Sequence, residues 1–144
     1  MAKRLKDEFF NRSSIGNMAD AVQRFHPPFD KPRFLKLVFD GSWETKELKE
    51  RLRHTTLCLH RALPGSFKDA LEILMKAAPF VTGFEAMAFP DYVELYGMDD
   101  WDLSLTALGH FTRYSTSELA IRAFLAKDPE GVMARMSAWA EDDD

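Results

Sequence analysis

Apolar residues return every three or four positions along this chain, and nearly every stripe they make is closed by a proline, a glycine or a capping side chain. Ile15, Met18, Ala19, Val22 and Phe25 share one face at helical spacing. No segment alternates apolar and polar residues between hairpin turns, so strands have no support in the pattern. This punctuation predicts an all-α fold of about eight short helices on short connections.

The boundaries follow from local chemistry. "HPPFDKP" ends the first stripe, with Asp30 as the next cap and Pro32 in the following first turn. "RFLKLVFDG" is apolar on most sides, and its Pro start and Gly stop predict a short buried helix rather than a strand. Ser42 is placed to cap "WETKELKERLRHTTLCLHRAL", with Leu48, Leu52, Thr55, Leu59 and Ala62 facing inward. "PG" at 64–65 ends it. Ser66 and Asp69 then form a capping-box-like start to a helix whose Phe67, Ala70, Leu71, Leu74 and Ala78 face inward. Pro90 is expected to divide "GFEAMAFPDYVELYG" into a short turn and a helix ending at Gly97. Asp99 and Asp100 suit the start of "WDLSLTALGHFT", "STSELAIRAFLAK" is the next helix, and Asp128 with Pro129 opens the last.

Helix starts near Ser66, Asp100 and Asp128 are 34 and 28 residues apart, the length of a helix-pair repeat. The last helix carries Val132, Met133, Met136 and Trp139, and "EDDD" follows with no partner helix. A stacked array would leave this stripe uncovered. The expectation is one helical-repeat domain over 1–144, the N-terminal part of a longer array, which self-associates through these four residues. The alternative is that the helix folds back as the cap of its neighbour.

Charge is distributed unevenly. Residues 1–68 carry 14 Lys and Arg against 8 Asp and Glu, a balance of +6, while residues 69–144 carry 5 against 15, a balance of −10. Such polarity steers a polyanion toward one face, or marks two surfaces with different neighbours. Nothing in the sequence resembles a membrane span or a signal peptide, and Cys58 is the single cysteine, which together favour the cytoplasm.

Few residues suggest chemistry by pattern alone. Ser115-x-x-Glu118 reads first as a capping box. Lys46, Lys49, Arg51, Arg53 and Arg61 alternate with Glu44, Glu47 and Glu50 at helical spacing, which reads as a solvated, ion-paired face rather than a phosphate-binding one. His54 and Cys58 have metal-ligand spacing but no second pair, so Cys58 reads as a core thiol. No phosphate-binding glycine loop or Ser-His-Asp arrangement is present.

From "LKDEFF" onward the chain resembles the bacterial DNA alkylation repair enzymes, alkylpurine DNA glycosylases built from HEAT-like helical repeats, and is most similar to their AlkC branch. The resemblance is carried by "FHPPFDKPRFLKLVFDGSWETKELKERLRH", "LPGSFKDALEIL", "GFEAMAFPDYVELYGMDDWDLSLTALGHFT", "STSELAIRAF" and "DPEGVMARMSAWAEDDD". It implies hydrolytic removal of cationic N3- or N7-alkylated purines from double-stranded DNA, with no metal or redox cofactor. It implies recognition through the backbone around the lesion rather than a deep pocket for a flipped base. Glu118 is the carboxylate it implies for stabilising the oxocarbenium-like sugar and placing a water.

Asp102 is open between a second catalytic carboxylate and a first-turn acid. Trp101 packs on a deoxyribose or lesion, or fills a gap between helices. Arg113 and Arg122 contact phosphate, or pair on the surface. The family's later repeats, which supply further arginines and carboxylates, lie beyond the resemblance. A non-catalytic helical-repeat module that binds DNA or protein is therefore the second reading.

Overall fold

The structure is a computed structural model and describes residues 5–114 and 124–142, with side chains up to residue 138. Glu118, Arg122 and the side chain of Trp139 lie outside the described residues. Among the described residues there are eight α-helices and no strand: α1 Leu5–Phe9, α2 Arg12–Phe25, α3 Lys31–Val38, α4 Leu48–Ala62, α5 Phe67–Ala77, α6 Ala88–Tyr96, α7 Trp101–Phe111 and α8 Pro129–Asp142. Short 3-10 turns at Trp43–Thr45, Ala78–Phe80 and Phe84–Met87 join them. No described helix is long and apolar enough to cross a membrane.

The helices form two layers. One runs α3, α4, α6, and the other runs α2, α5, α7, α8, each helix touching the next in its layer. The second layer explains the repeat spacing, because Ser66, Asp100 and Asp128 stand immediately before α5, α7 and α8. Neighbours within a layer run parallel. His110, near the end of α7, has Nε2 2.8 Å from the carbonyl oxygen of Met75, near the end of α5. Phe25, ending α2, lies 5.7 Å ring to ring from Phe80, just past α5. In the other layer Arg53 meets Asp91 at 3.0 Å and His60 stacks on Tyr96 at 3.9 Å, so α4 and α6 share a direction. Consequently the C-terminal ends of α2, α5 and α7 gather on one edge of the array.

Apolar burial holds the layers together. Phe34, Leu71, Leu74, Phe89, Tyr92, Leu108 and Phe124 are all essentially closed to solvent, each contributing about 1.5–3 kcal/mol by burial. Gly97 ends α6 where a Cβ would strike the Val93 carbonyl and the Phe67 ring, so close approach requires glycine there. The expected caps Asp30, Ser66 and Asp128 accept from the N–H groups of Arg33, Asp69 and Gly131. Asp100 stands at the N-cap position of α7 without a capping hydrogen bond.

Several expectations change. Ser42 does not cap α4: its segment makes the 3-10 turn, and α4 begins at Leu48, where the Glu47 N–H donates to the Glu50 carboxylate at 3.1 Å. The segment around Pro90 does divide into a short turn, Phe84–Met87, and a helix that ends at Gly97, with Pro90 third in α6, where the first turn has no partner for the missing N–H. Arg51 does not belong to a solvated face. It is 1% exposed, donates to the carbonyls of Lys6, Phe10 and Trp43 and to Asp7, and lies 4.6 Å over the Trp43 ring. The unanticipated helix α1 supplies two of these acceptors, Lys6 and Asp7, and Phe10 follows directly after it.

The α8 stripe is not a free apolar face either. Val132 is fully buried, Met136 packs against the core, and Met133 alone of these three is exposed. α8 turns Val132 and Met136 inward and rests on α7, so these two residues offer no surface for self-association.

Candidate functional site on the helix-end edge

Trp101 and Asp102 open α7, whereas Arg113 lies just past its C-terminus, about 16 Å away along the helix. The structure therefore separates these three expected site residues between the two ends of α7. Trp101 is half-buried, with its ring 4.8 Å from that of Phe124. Asp102 is 91% exposed and pairs with Arg135 of α8 at 2.8 Å. Arg113 is exposed on the edge where α2, α5 and α7 end. Glu118 and Arg122, outside the described residues, have no geometry to add.

His54 turns its Nε2 to the carbonyls of Leu37 and Val38, at 3.1 and 3.0 Å, where α3 ends. Cys58 is buried as expected of a core thiol, and burial raises its thiol to about 11.

Three concave regions differ in how their charges are satisfied. A groove of roughly 570 Å³ between α4 and α6 contains Arg53, Asp91 and Glu94, and Arg53 holds both carboxylates. A cleft of roughly 720 Å³ at the start of α2 contains Arg51 with Asp7 and Glu44, which lie 2.9 and 3.8 Å from its guanidinium. The third, of roughly 320 Å³, opens on the helix-end edge between α2 and the turn before α6, and is lined by Asn17, Asp20, Arg24, Phe80, Thr82 and Glu85.

Glu85 sets the third cleft apart. Its side chain is buried, and no cation among the described residues pairs with it. Desolvation pushes its carboxyl above the usual range, opposed by backbone N–H groups of residues 85 and 83. A Cβ at Gly83 would collide with this carboxylate, so glycine creates its seat. A buried charge without an ion partner is costly, and a cation entering the cleft relieves that cost.

Phe80 gives the cleft an aromatic wall. Arg24 lies 4.4 Å over the Phe80 ring, and Phe84 stacks on Phe9 of α1 at 4.0 Å. Phe80 and Phe84 are half-exposed. Asp20 is already engaged with Lys31. Sequence reasoning missed Glu85 and Arg24. The one available signal for Glu85 was a lone acid between apolar residues in "FEAMAF"; nothing marked Arg24, because its partner Phe80 is 56 residues away.

No protein-family model matches the sequence. The chain is 42% identical over 134 residues to "Uncharacterized protein YhaZ" of Bacillus subtilis (strain 168), covering 93% of this chain and 38% of that protein. Its structure matches "Pseudomonas fluorescens alkylpurine DNA glycosylase AlkC bound to DNA containing an abasic site analog" with a TM-score of 0.89 and 31% identity, over 100% of this chain and 40% of the other. The chain thus spans about two fifths of the length of both proteins. From first residue to last it is similar to the alkylpurine DNA glycosylase AlkC, and it carries part of that HEAT-like fold.

Proposed function

We propose that this chain acts in DNA alkylation repair, as part of a glycosylase that hydrolyses cationic N3- or N7-alkylated purines from double-stranded DNA. The observation that carries the reading is Glu85, a buried carboxylate in an open cleft, with no cation paired to it among the described residues, in a chain that matches AlkC throughout. Loss of an alkylated purine develops positive charge on the deoxyribose. A carboxylate already stripped of water stabilises that charge without reorganising solvent. Glu118 is proposed as the second carboxylate, the one that places the attacking water, and Arg113 and Arg122 as phosphate contacts. Trp101 and Asp102 stand at the far end of α7. In this reading they meet DNA outside the cleft, and Asp102 takes part only after leaving Arg135.

The test is release of 7-methylguanine from duplex DNA by this chain, by its Glu85→Gln and Glu118→Gln variants, and by full-length YhaZ. Release by YhaZ that falls about a hundredfold or more in the matching Gln variants supports the reading. No release by YhaZ sinks it. Release by YhaZ but not by this chain assigns the missing machinery to the other three fifths of the protein.

The Asp102–Arg135 pair favours a second reading, in which the chain is a non-catalytic helical-repeat binding module for DNA or protein. One of the candidate carboxylates is already paired with an arginine of α8. DNA binding without base release by either protein selects it.

A further inference from the structure

The fold that buries Arg51 satisfies only part of it. Its Nε and Nη1 donate to the carbonyls of Trp43, Lys6 and Phe10 and to Asp7, whereas Nη2 is buried and has no hydrogen-bond partner among the described residues. A buried donor without an acceptor is costly, and a bound acceptor removes the cost. Arg51 lines the roughly 720 Å³ cleft at the start of α2. The Glu44 carboxylate of the same cleft stands 3.8 Å from Nη2, near enough for Coulomb attraction and too far for a hydrogen bond. Further donors converge there. The Phe10 carbonyl held by Arg51 at 3.1 Å immediately precedes Asn11, the N-cap of α2, so the guanidinium sits at that helix start. Asn11 accepts from the Ser14 N–H, which leaves the N–H groups of Arg12 and Ser13 without an acceptor among the described residues. Arg12 lies 4.5 Å over the Phe39 ring, and that ring meets edge-on, at 4.9 Å, the Trp43 ring that carries Arg51. No carboxylate among the described residues pairs with Arg12.

We propose that this cleft binds a single phosphate group, as inorganic phosphate or as the end of a small phosphate monoester, with Arg51 Nη2, the Arg12 guanidinium and the first N–H groups of α2 as its donors. Donors from two side chains and a helix start suit a tetrahedral oxyanion, and the positive end of the helix dipole adds to them. The carboxylates of the cleft limit the ligand to one such group. Asp7 is spent on Arg51 Nη1, and Asp40 accepts from the N–H and hydroxyl of Ser42. Glu44 is 87% exposed and its side chain makes no hydrogen bond among the described residues, so it competes for Nη2 and is free to swing into solvent. A polyanion would bring further negative charge against all three acids, whereas a lone phosphate does not. The site lies at the opposite end of α2 from the helix-end edge, about 20 Å away. It is independent of the proposed function. Bound phosphate ties α1, α2 and the 3-10 turn together through Arg51.

The experiment is an NMR titration of this chain with inorganic phosphate, and with chloride as control, at constant ionic strength so that general screening cancels. Phosphate should shift the backbone amides of Arg12 and Ser13 and the side-chain N–H resonances of Arg51 along one saturable curve, and chloride should not. Glu44→Gln removes the competing carboxylate and should tighten phosphate binding by about threefold or more; Arg12→Gln should weaken it by a similar factor. Neither residue is needed to bury Arg51, and circular dichroism checks that both variants are folded. Ribose 5-phosphate that displaces phosphate at lower concentration identifies a monoester as the ligand, and weaker displacement identifies the free ion. No saturable shift, the same shift with chloride, or an unchanged affinity in folded Glu44→Gln overturns the proposal. Displacement by undamaged duplex DNA at lower concentration than either small phosphate also overturns it, because the cleft would then be a nucleic-acid contact.

Discussion

Arg51 and Glu85 are both buried charges, and the protein treats them in opposite ways. Arg51 is surrounded by acceptors from three parts of the chain: the carbonyls of Lys6 and Phe10, the carboxylate of Asp7, and the carbonyl and ring of Trp43. It joins α1 and the 3-10 turn to α4. Glu85 has no counter-charge among the described residues, and desolvation raises its carboxyl above the usual range. A charge buried to organise a fold is given its partners by the fold, because an unpaired one costs more than it returns. A charge buried without a counter-charge adds nothing to stability, and the cost is relieved by protonation or by a cation that enters the cleft. That difference, rather than cleft size, selects the helix-end cleft over the two larger concavities.

Removing each charge tests the contrast. Arg51→Ala strands several buried acceptors and should cost about 3–5 kcal/mol in chemical denaturation. A loss under about 1 kcal/mol would mean the arginine is no organiser. Gly83→Ala puts a Cβ where the Glu85 carboxylate lies and displaces it. It should lower stability by about 1 kcal/mol and reduce any cation binding along with it. An alanine variant that binds as well as the wild type would show that the seat is not needed.

Glu85→Gln should act in the other direction. The Glu85 carboxyl is raised in the folded state, so folding favours its protonated form: the stabilising contribution is present below the unfolded carboxyl range and is lost as pH rises through the folded value. At neutral pH the ionised side chain is a liability. The amide should therefore raise Tm by on the order of 2 °C, and the gain should vanish in acid. A drop in Tm at neutral pH would mean Glu85 has a partner after all. The smallest effect belongs to Asp102→Ala, which removes a surface pair with Arg135 and should change stability by no more than about 0.5 kcal/mol.

Much of the scaffold was legible in the sequence because it is set by short-range chemistry. Asp30, Ser66 and Asp128 cap from within three residues, and the spacing of helix starts gave the repeat that the second layer realises. The failures share one cause. Arg51 was read against its helical neighbours, but its partners Lys6, Asp7 and Phe10 lie 41 to 45 residues away. Arg53 was read the same way, and its carboxylates come from α6. Met133 was placed with Val132 and Met136 on one stripe, yet the way α8 rests on α7 puts it outside.

Local patterning by itself determined that this chain is helical, where most helices begin and end, and which faces turn inward, since each of those depends on residues within one or two turns. Only the tertiary structure decided which charges are satisfied. Whether a buried charge has a partner depends on side chains that layer stacking brings together from distant segments. The stacking that surrounds Arg51 with acceptors leaves Glu85 without a cation among the described residues.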